Sequence, residues 1–427
     1  MEKIRYSGEN RFRSILVCLS VCEKGSNLYG LDSKDGSIVW KSFIEFFEGN
    51  KLEILSSSEQ PSFIVSGRIG RKSHLLVFEA ATGRKLEERS LEKRMEGFSK
   101  LPIKITSHKS LFLSVFHSSE EEKRVRILPE EKQTLKVVSQ NFERIFFYEL
   151  HSDSIKGYKL FSPTNATLVW DFNLANKKLE SISNTQLSQK VNSIAEVKVD
   201  GSLLAKYVNF NLLTFTTSSP SSQTLTFYVL DASNGRVLFS QIHQHASGPV
   251  KMDHFENMIV YFYKNVKTHK NQVSTVQIFD EASLLPQLWK NFWKNAFGLS
   301  SKANGERKEE KQNPVTIVSQ SFEFPLELSD ITFTQTKTGL TPKHLLIATS
   351  SGSIVSLHHS LFDARRPLTE QKPSPISPDN LIPYSKSIQV PPQAIITHSN
   401  TVCASLFAQF QTSNFYTFFP KKQDRAN

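Results

Sequence analysis

The sequence predicts an all-β fold: a partial β-propeller of recurring hairpins, with one short amphipathic helix and a C-terminal β module. Three observations carry that prediction. One hairpin pattern recurs along the chain, 32 of the 427 residues are Phe with aromatics at 11%, and the apolar runs between turn residues have the length of strands rather than helices.

The first hairpin is LYGLDSKDGSIVW, Leu28 to Trp40, in which two apolar runs flank a polar turn ending in Asp35 and Gly36. Asp-Gly between apolar runs is the strongest short hairpin signal, and Gly is the residue that accepts positive φ. LLVFEAATGRKLEE places Glu79 and Gly83 at the same offset as Asp32 and Gly36, and FYVLDASNGRVLFS does so with Asp231 and Gly235. GYKLFSPTNATLVW is a degenerate copy: Ser162 and Ala166 take the acidic and Gly places, while Tyr158, Phe161, Leu168 and Trp170 keep the apolar ones. LLIATSSGSIVSL keeps Gly352 and Ile354. A single hairpin cannot bury its own apolar face, so a repeated one implies blades of a propeller or another radial β array.

Between these copies the remaining segments follow in order. SILVCLSVC, Ser14 to Cys22, reads as a buried strand. It falls short of the ~18 residues of a membrane-spanning helix, and it runs into the first hairpin without the small-residue cleavage site of a signal peptide. The expectation is therefore a chain that, as written, carries neither entry signal nor anchor. Ser110–Phe116 and Arg144–Leu150 are further strands, NLANKKLESISNTQLSQK is a polar surface loop, and Leu203 to Asp280 is another β block. In residues 284–297, Leu285, Leu288, Trp289, Phe292, Trp293, Ala296 and Phe297 fall on one side at helical spacing and Lys290, Asn291, Lys294 and Asn295 on the other. That is an amphipathic helix, fit either to dock on its own propeller or to lie at a bilayer or partner surface. Residues 299–316 form a charged linker without periodicity, and QKPSPISPDN is an extended surface loop within the last strands. The expected domains are 1–200, a partial propeller, and 201–427, a C-terminal module containing the helix and the linker.

The formal charge of +11 invites an acidic neighbour, but the basic residues are scattered among acidic ones and no nucleic-acid-binding signature accompanies them. A solvated surface accounts for the charge, with a membrane- or partner-facing patch second and no nucleic acid partner. Cys18, Cys22 and Cys403 form no disulfide framework and no CxxC metal spacing. His243 and His245 would share a strand face, and His358 and His359 are adjacent, yet neither pair has a third ligand at recognisable spacing. No GxSxG, P-loop or GxGxxG occurs. The expectation is no catalytic residue, no metal and no cofactor. Asn165 heads NAT, the one glycosylation sequon, and the repeat places it in the turn between Phe161 and Trp170.

Two resemblances bear on function. The hairpin resembles that of pyrroloquinoline quinone-type propellers, so the repeats are quinoprotein-like. The adjacent cysteines and calcium ligands that such enzymes share have no counterpart here, which leaves a quinone-dependent oxidoreductase as an alternative only. The segment HLLIATSSGSIVSLHHSLFDARRP followed by NLIPYS resembles the signature region of the endoplasmic reticulum membrane protein complex subunit 1 family. Arg365, Arg366 and Pro367 stand where that family has them, and Ala364 replaces a Pro. AKYVNFNLL, DASNGRVL, GPVKMDHFENMIVYFY and the first hairpin resemble the family in the same order, from about Ile15 to Pro420.

That resemblance implies the C-terminal portion of a family member, without the family's signal peptide and terminal transmembrane helix, as in a fragment, an isoform or a partial gene model. It implies a non-enzymatic scaffold on the luminal side of the endoplasmic reticulum membrane, supporting insertion of tail-anchored and multipass membrane proteins. Its partners would be other subunits of the complex, membrane-protein clients and a membrane surface. Trp289, Phe292, Trp293, Arg365 and Arg366 are the candidate membrane or partner contacts, and Asn165 the candidate glycosylation site. A soluble peptide-binding adaptor is the remaining alternative.

Overall fold

The computed structural model describes residues 2–280 and 315–418 apart from intervening stretches, among them 33–36, 57–60, 185–190, 198–202, 335–342, 382–393, 399–404 and 410–414. The helix expected over 284–297, with Trp289, Phe292 and Trp293, and the linker at 299–316 up to residue 314 lie outside the described residues, as does Gly36. The fold is all-β, with the antiparallel meanders of propeller blades. The chain divides into two compact units. The first is Met1–Asn176 with Asp231–Arg236 and Ser405–Asn427, and the second is Lys177–Leu230 with Val237–Ala404.

Several central strands are buried on both faces, which explains why those strands read as long apolar runs. In the second unit Met258–Asn265 (MIVYFYKN) sends Met258, Val260 and Phe262 into one core with Phe322, Phe324, Phe333 and Ile347. Ile259, Tyr261 and Tyr263 go into another with Phe227, Val229 and Ile278. In the first unit Phe63, Val65, Leu76 and Phe78 pack with Ile15, Val17 and Leu28, while Ile64, Leu75 and Val77 pack with Phe112 and Phe116. A period-2 strand caught between two layers buries both of its alternating sets of side chains, which favours apolar residues on both faces. Edge strands are relieved of that demand: Lys85–Leu91, KLEERSL, is exposed along most of its length.

Two elements depart from the expected pattern. Lys178–Asn184 lies in the expected polar loop, yet it is a strand at the edge of a four-stranded sheet, with Leu179 opposite Thr217 and Ile182 opposite Phe215. Only one side of an edge strand is paired, so a sparse apolar pattern suffices to hold it. Lys132–Asn141 is an α-helix within a stretch expected to hold only strands; Val138, fully buried, anchors it in the core of Leu113, Ile127 and Ile145.

The repeat hairpins serve a common purpose. Glu79 and Asp231 each accept, at the backbone carbonyl, the N–H of the Gly four residues on (2.9 and 2.8 Å), and Gly83 and Gly235 sit at φ +70° and +74°. Asp231 Oδ1 also accepts from the Ser233 N–H (2.9 Å), and Glu79 Oε2 from the Thr82 hydroxyl (2.6 Å). The turn so formed receives an indole. Trp40 Nε1 donates to the Ala80 carbonyl (2.9 Å), and Trp170 Nε1 donates to the Ala232 carbonyl (2.9 Å), the latter wholly within the first unit. A Cβ on Gly30 would lie 2.2 Å from Trp40 Cε2 and one on Gly83 2.4 Å from Trp40 Cε3, so the ring lies between two glycines. Gly157 and Gly235 enclose Trp170 in the same way, at 1.9 and 2.5 Å. In the degenerate copy the turn is only Pro163–Thr164, and Ala166 is already a fully buried strand residue opposite Leu160, which is why it needs no glycine.

Gly83→Ala should destabilise by the ~1–3 kcal/mol of a strained positive φ, plus the cost of displacing the indole. In a Trp40→Ala background the second contribution vanishes, so the glycine substitution should cost less there than in the wild type. Denaturant unfolding of the four proteins measures both costs, and equal costs would show that the ring does not rest on Gly83.

Candidate functional site

The first unit holds a cleft of about 390 Å³ lined by Glu96, Lys123, His151, Asp153, Lys156 and Asp171 among others. The Lys123 side chain, only 4% exposed, donates to Glu96 Oε2 (2.7 Å) and pairs with Glu149 Oε2 (3.2 Å), its ammonium 5.7 Å from the Tyr158 ring centre. Burial works against the lysine charge, but the two carboxylates outweigh it and hold the ammonium above its ordinary range. Burial also pushes the Tyr158 hydroxyl up to about 12. Lys156 stands 3.9 Å from Asp171 across adjacent strands. The charged groups neutralise one another across Met95–Thr106, Glu122–Leu128, Phe146–Leu150, Ser154–Ser162 and Asn165–Asn173, so the cleft is lined by ion pairs.

A second charged cluster, in the second unit, contains the sequence-predicted arginines. Arg365 pairs with Asp363 (2.8 Å) and with Glu196, and its guanidinium lies 5.1 Å from the Phe279 ring centre. Arg366 Nη1 donates to the Leu361 carbonyl (2.8 Å), its guanidinium stacks 5.1 Å from Phe322, and its own carbonyl accepts from Gln320 Nε2 (3.2 Å). The Ala364 N–H donates to Gln277 Oε1 (3.0 Å), a bond that a Pro at this position could not make. The segment is thereby tied to Asn271–Asp280 and Val315–Phe324. Behind it Lys206 donates to Glu256 Oε2 (2.6 Å) and approaches Glu196 (3.9 Å); the Glu256 side chain is 1% exposed.

The histidine pairs do not converge. His243 is buried, with Nε2 2.7 Å from the Tyr261 hydroxyl and Nδ1 3.0 Å from that of Tyr263. His245 is exposed at the following turn with φ +54°, so the two do not share a strand face. His358 Nδ1 accepts from the Ser360 N–H (3.3 Å) and His359 Nδ1 lies 3.1 Å from the Lys343 carbonyl. Among the described residues no group of three His, Cys, Asp or Glu is placed to hold a metal ion. Cys18 is buried, its thiol pushed up to about 12 by that burial. Asn165 is the first residue of the strand Asn165–Asn173, one position past the turn. No helix among the described residues is long and apolar enough to cross a membrane.

Lys123, Glu196, Lys206 and Glu256 escaped sequence reasoning because their partners are remote: Lys123 and Glu96 are 27 positions apart, Lys206 and Glu256 50, and Arg365 and Glu196 169. No local spacing encodes such pairs.

The family model described as ER membrane protein complex subunit 1, second beta-propeller, matches residues 11–413. A Xenopus laevis protein named ER membrane protein complex subunit 1 is 26% identical over 396 residues, covering 88% of this chain and 38% of its own length. The Gallus gallus protein of the same name is 27% identical over 398 residues, with the same coverages, and that of Saccharomyces cerevisiae 21% identical, covering 91% of this chain and 50% of itself. The chain thus spans well under two thirds of these relatives.

Glu256→Gln leaves the largely buried Lys206 with only the more distant carboxylate of Glu196 and should cost about 3–5 kcal/mol. Arg365→Ala, at a more exposed pair, should cost about 1 kcal/mol or less. Chemical denaturation ranks them, and the reverse order would place the burden on the arginine. The pH dependence has a definite sign. Burial lowers His243 from 6.5 to about 4, so its contribution is complete above pH 6.5 and is lost as pH falls through about 4. Burial raises the Asp253 carboxyl to about 6, and that contribution runs the opposite way, lost as pH rises through about 6. Melting curves between pH 7 and 4 should show a steeper acid loss in the wild type than in His243→Gln; parallel curves would exclude His243 as the source.

Proposed function

Since the chain belongs to the ER membrane protein complex subunit 1 family, we propose that it serves as a non-enzymatic scaffold within that complex. The match of the family model over residues 11–413 carries the reading. In this reading it lies on the luminal side of the endoplasmic reticulum membrane, binds other subunits of the complex, and supports insertion of tail-anchored and multipass clients without chemistry of its own. The physical character of the chain supports that role: several antiparallel sheets present edges and loops, and the ion-pair clusters brace strands distant in sequence. Arg365 and Arg366 contribute by holding the DARR segment on its own sheet, presenting what remains exposed of it to a neighbour. Trp289, Phe292 and Trp293 would supply a membrane or partner contact through an amphipathic helix.

Affinity purification of the protein from detergent-solubilised membranes tests the proposal. Recovery with integral membrane subunits in stable proportion is the expected result. Recovery alone, or with a chromophoric redox cofactor, would overturn it, the latter in favour of an oxidoreductase.

A further inference from the structure

Asn165 begins the strand Asn165–Asn173 directly after the two-residue turn at 163–164, with its N–H donated to Ser162 Oγ (3.0 Å). Its backbone is paired on both sides, opposite Ser162 and opposite Arg124, and Thr167 stands opposite Lys159 and Glu122. Side chains directly across a ladder share a face, and those two apart along a strand do too. Asn165, Thr167, Ser162, Lys159, Arg124 and Glu122 therefore form one polar face, every member exposed or half-buried. The opposite face carries Ala166 and Leu160, both fully buried, and Lys123 at 4%. Among the described residues no hydrogen bond ties the Asn165 carboxamide. The two residues that a sequon requires thus share one half-buried polar face, while the residue between them goes inward.

We infer that Asn165 carries an N-linked oligosaccharide and that the polar face around it is left uncovered in the assembled protein. The donor is a polyprenyl-diphosphate-linked oligosaccharide. Asn165 Nδ2 forms a bond to the anomeric carbon, the bond from that carbon to the diphosphate oxygen breaks, and the lipid diphosphate leaves with the electron pair. The carboxamide proton passes to a base of the transferring enzyme. The glycan is bulky and hydrated, so it excludes close packing of another subunit against Arg124, Lys159 and Thr167. This inference rests on the luminal placement proposed above, because the donor and its transferase act in the lumen.

The test uses the full-length protein recovered from the cells that make it. Peptide N-glycosidase treatment in heavy-oxygen water followed by peptide mass spectrometry should convert Asn165 to labelled Asp, with one mobility step lost on a gel. That step should be absent beforehand in Asn165→Gln and in Thr167→Ala and retained in Thr167→Ser, which keeps the sequon if either of the other variants folds poorly. A parallel aliquot of sealed microsomes is treated with external protease. An unmodified Asn165 in protein that resists the protease would overturn the inference and leave the luminal reading standing. Digestion of the region from outside would overturn both.

Discussion

Two indoles laid flat between glycines set the geometry on which the first unit depends. A Trp ring can meet polypeptide on both of its faces only where no Cβ intervenes, and Gly30 with Gly83, and Gly157 with Gly235, provide those faces. The Nε1 donors then fix the rotation of each ring against the Ala80 and Ala232 carbonyls. The turn glycines thus have two duties, a positive φ and a flat seat, and the acidic residue before each turn accepts the Gly N–H that closes it. Backbone, turn chemistry and aromatic packing agree at one spot, so the hairpin can recur while the residues around it vary.

Blade packing follows from the same economy of contact. Strands with neighbours on both faces favour apolar residues on both, as in residues 258–263, and strands at the edge carry charge, as in Lys85–Leu91. Several of the charged and ring-bearing polar groups in the interior enter in sets. His243 lies between the hydroxyls of Tyr261 and Tyr263, Lys123 between Glu96 and Glu149, and Lys206 against Glu256 and Glu196. Each set joins segments far apart in sequence, so removing one member leaves a desolvated charge or donor rather than a hole.

In the proposed scaffold role the division of labour matters. Arg365 and Arg366 are spent largely inward, each stacked on a Phe and bonded within the second unit, whereas the Asn165 face turns polar groups outward. A surface braced by remote ion pairs can present loops and edges to partners without relying on those loops for its own stability.

The all-β class, the hairpins and their turn glycines were legible in the sequence, because strand alternation, turn chemistry and a repeated offset are local properties of the chain. Family membership was legible too, through ordered motifs such as HLLIATSSGSIVSL and DARRP. Some features were decided only by tertiary structure. Trp40 and Trp170 appear in sequence as apolar strand residues, and only the fold brings their indoles to Ala80 and Ala232, 40 and 62 positions away. The HxH spacing of His243 and His245 pointed to a shared face, but the chain turns between them and buries one while exposing the other. The polar stretch at Lys178–Asn184 became an edge strand because a single neighbour, Leu212–Ser219, supplies the ladder that its own composition does not demand. Local pattern determines which backbone conformation a segment takes; which remote donor, ring or counter-charge it meets is determined by the packing of the sheets.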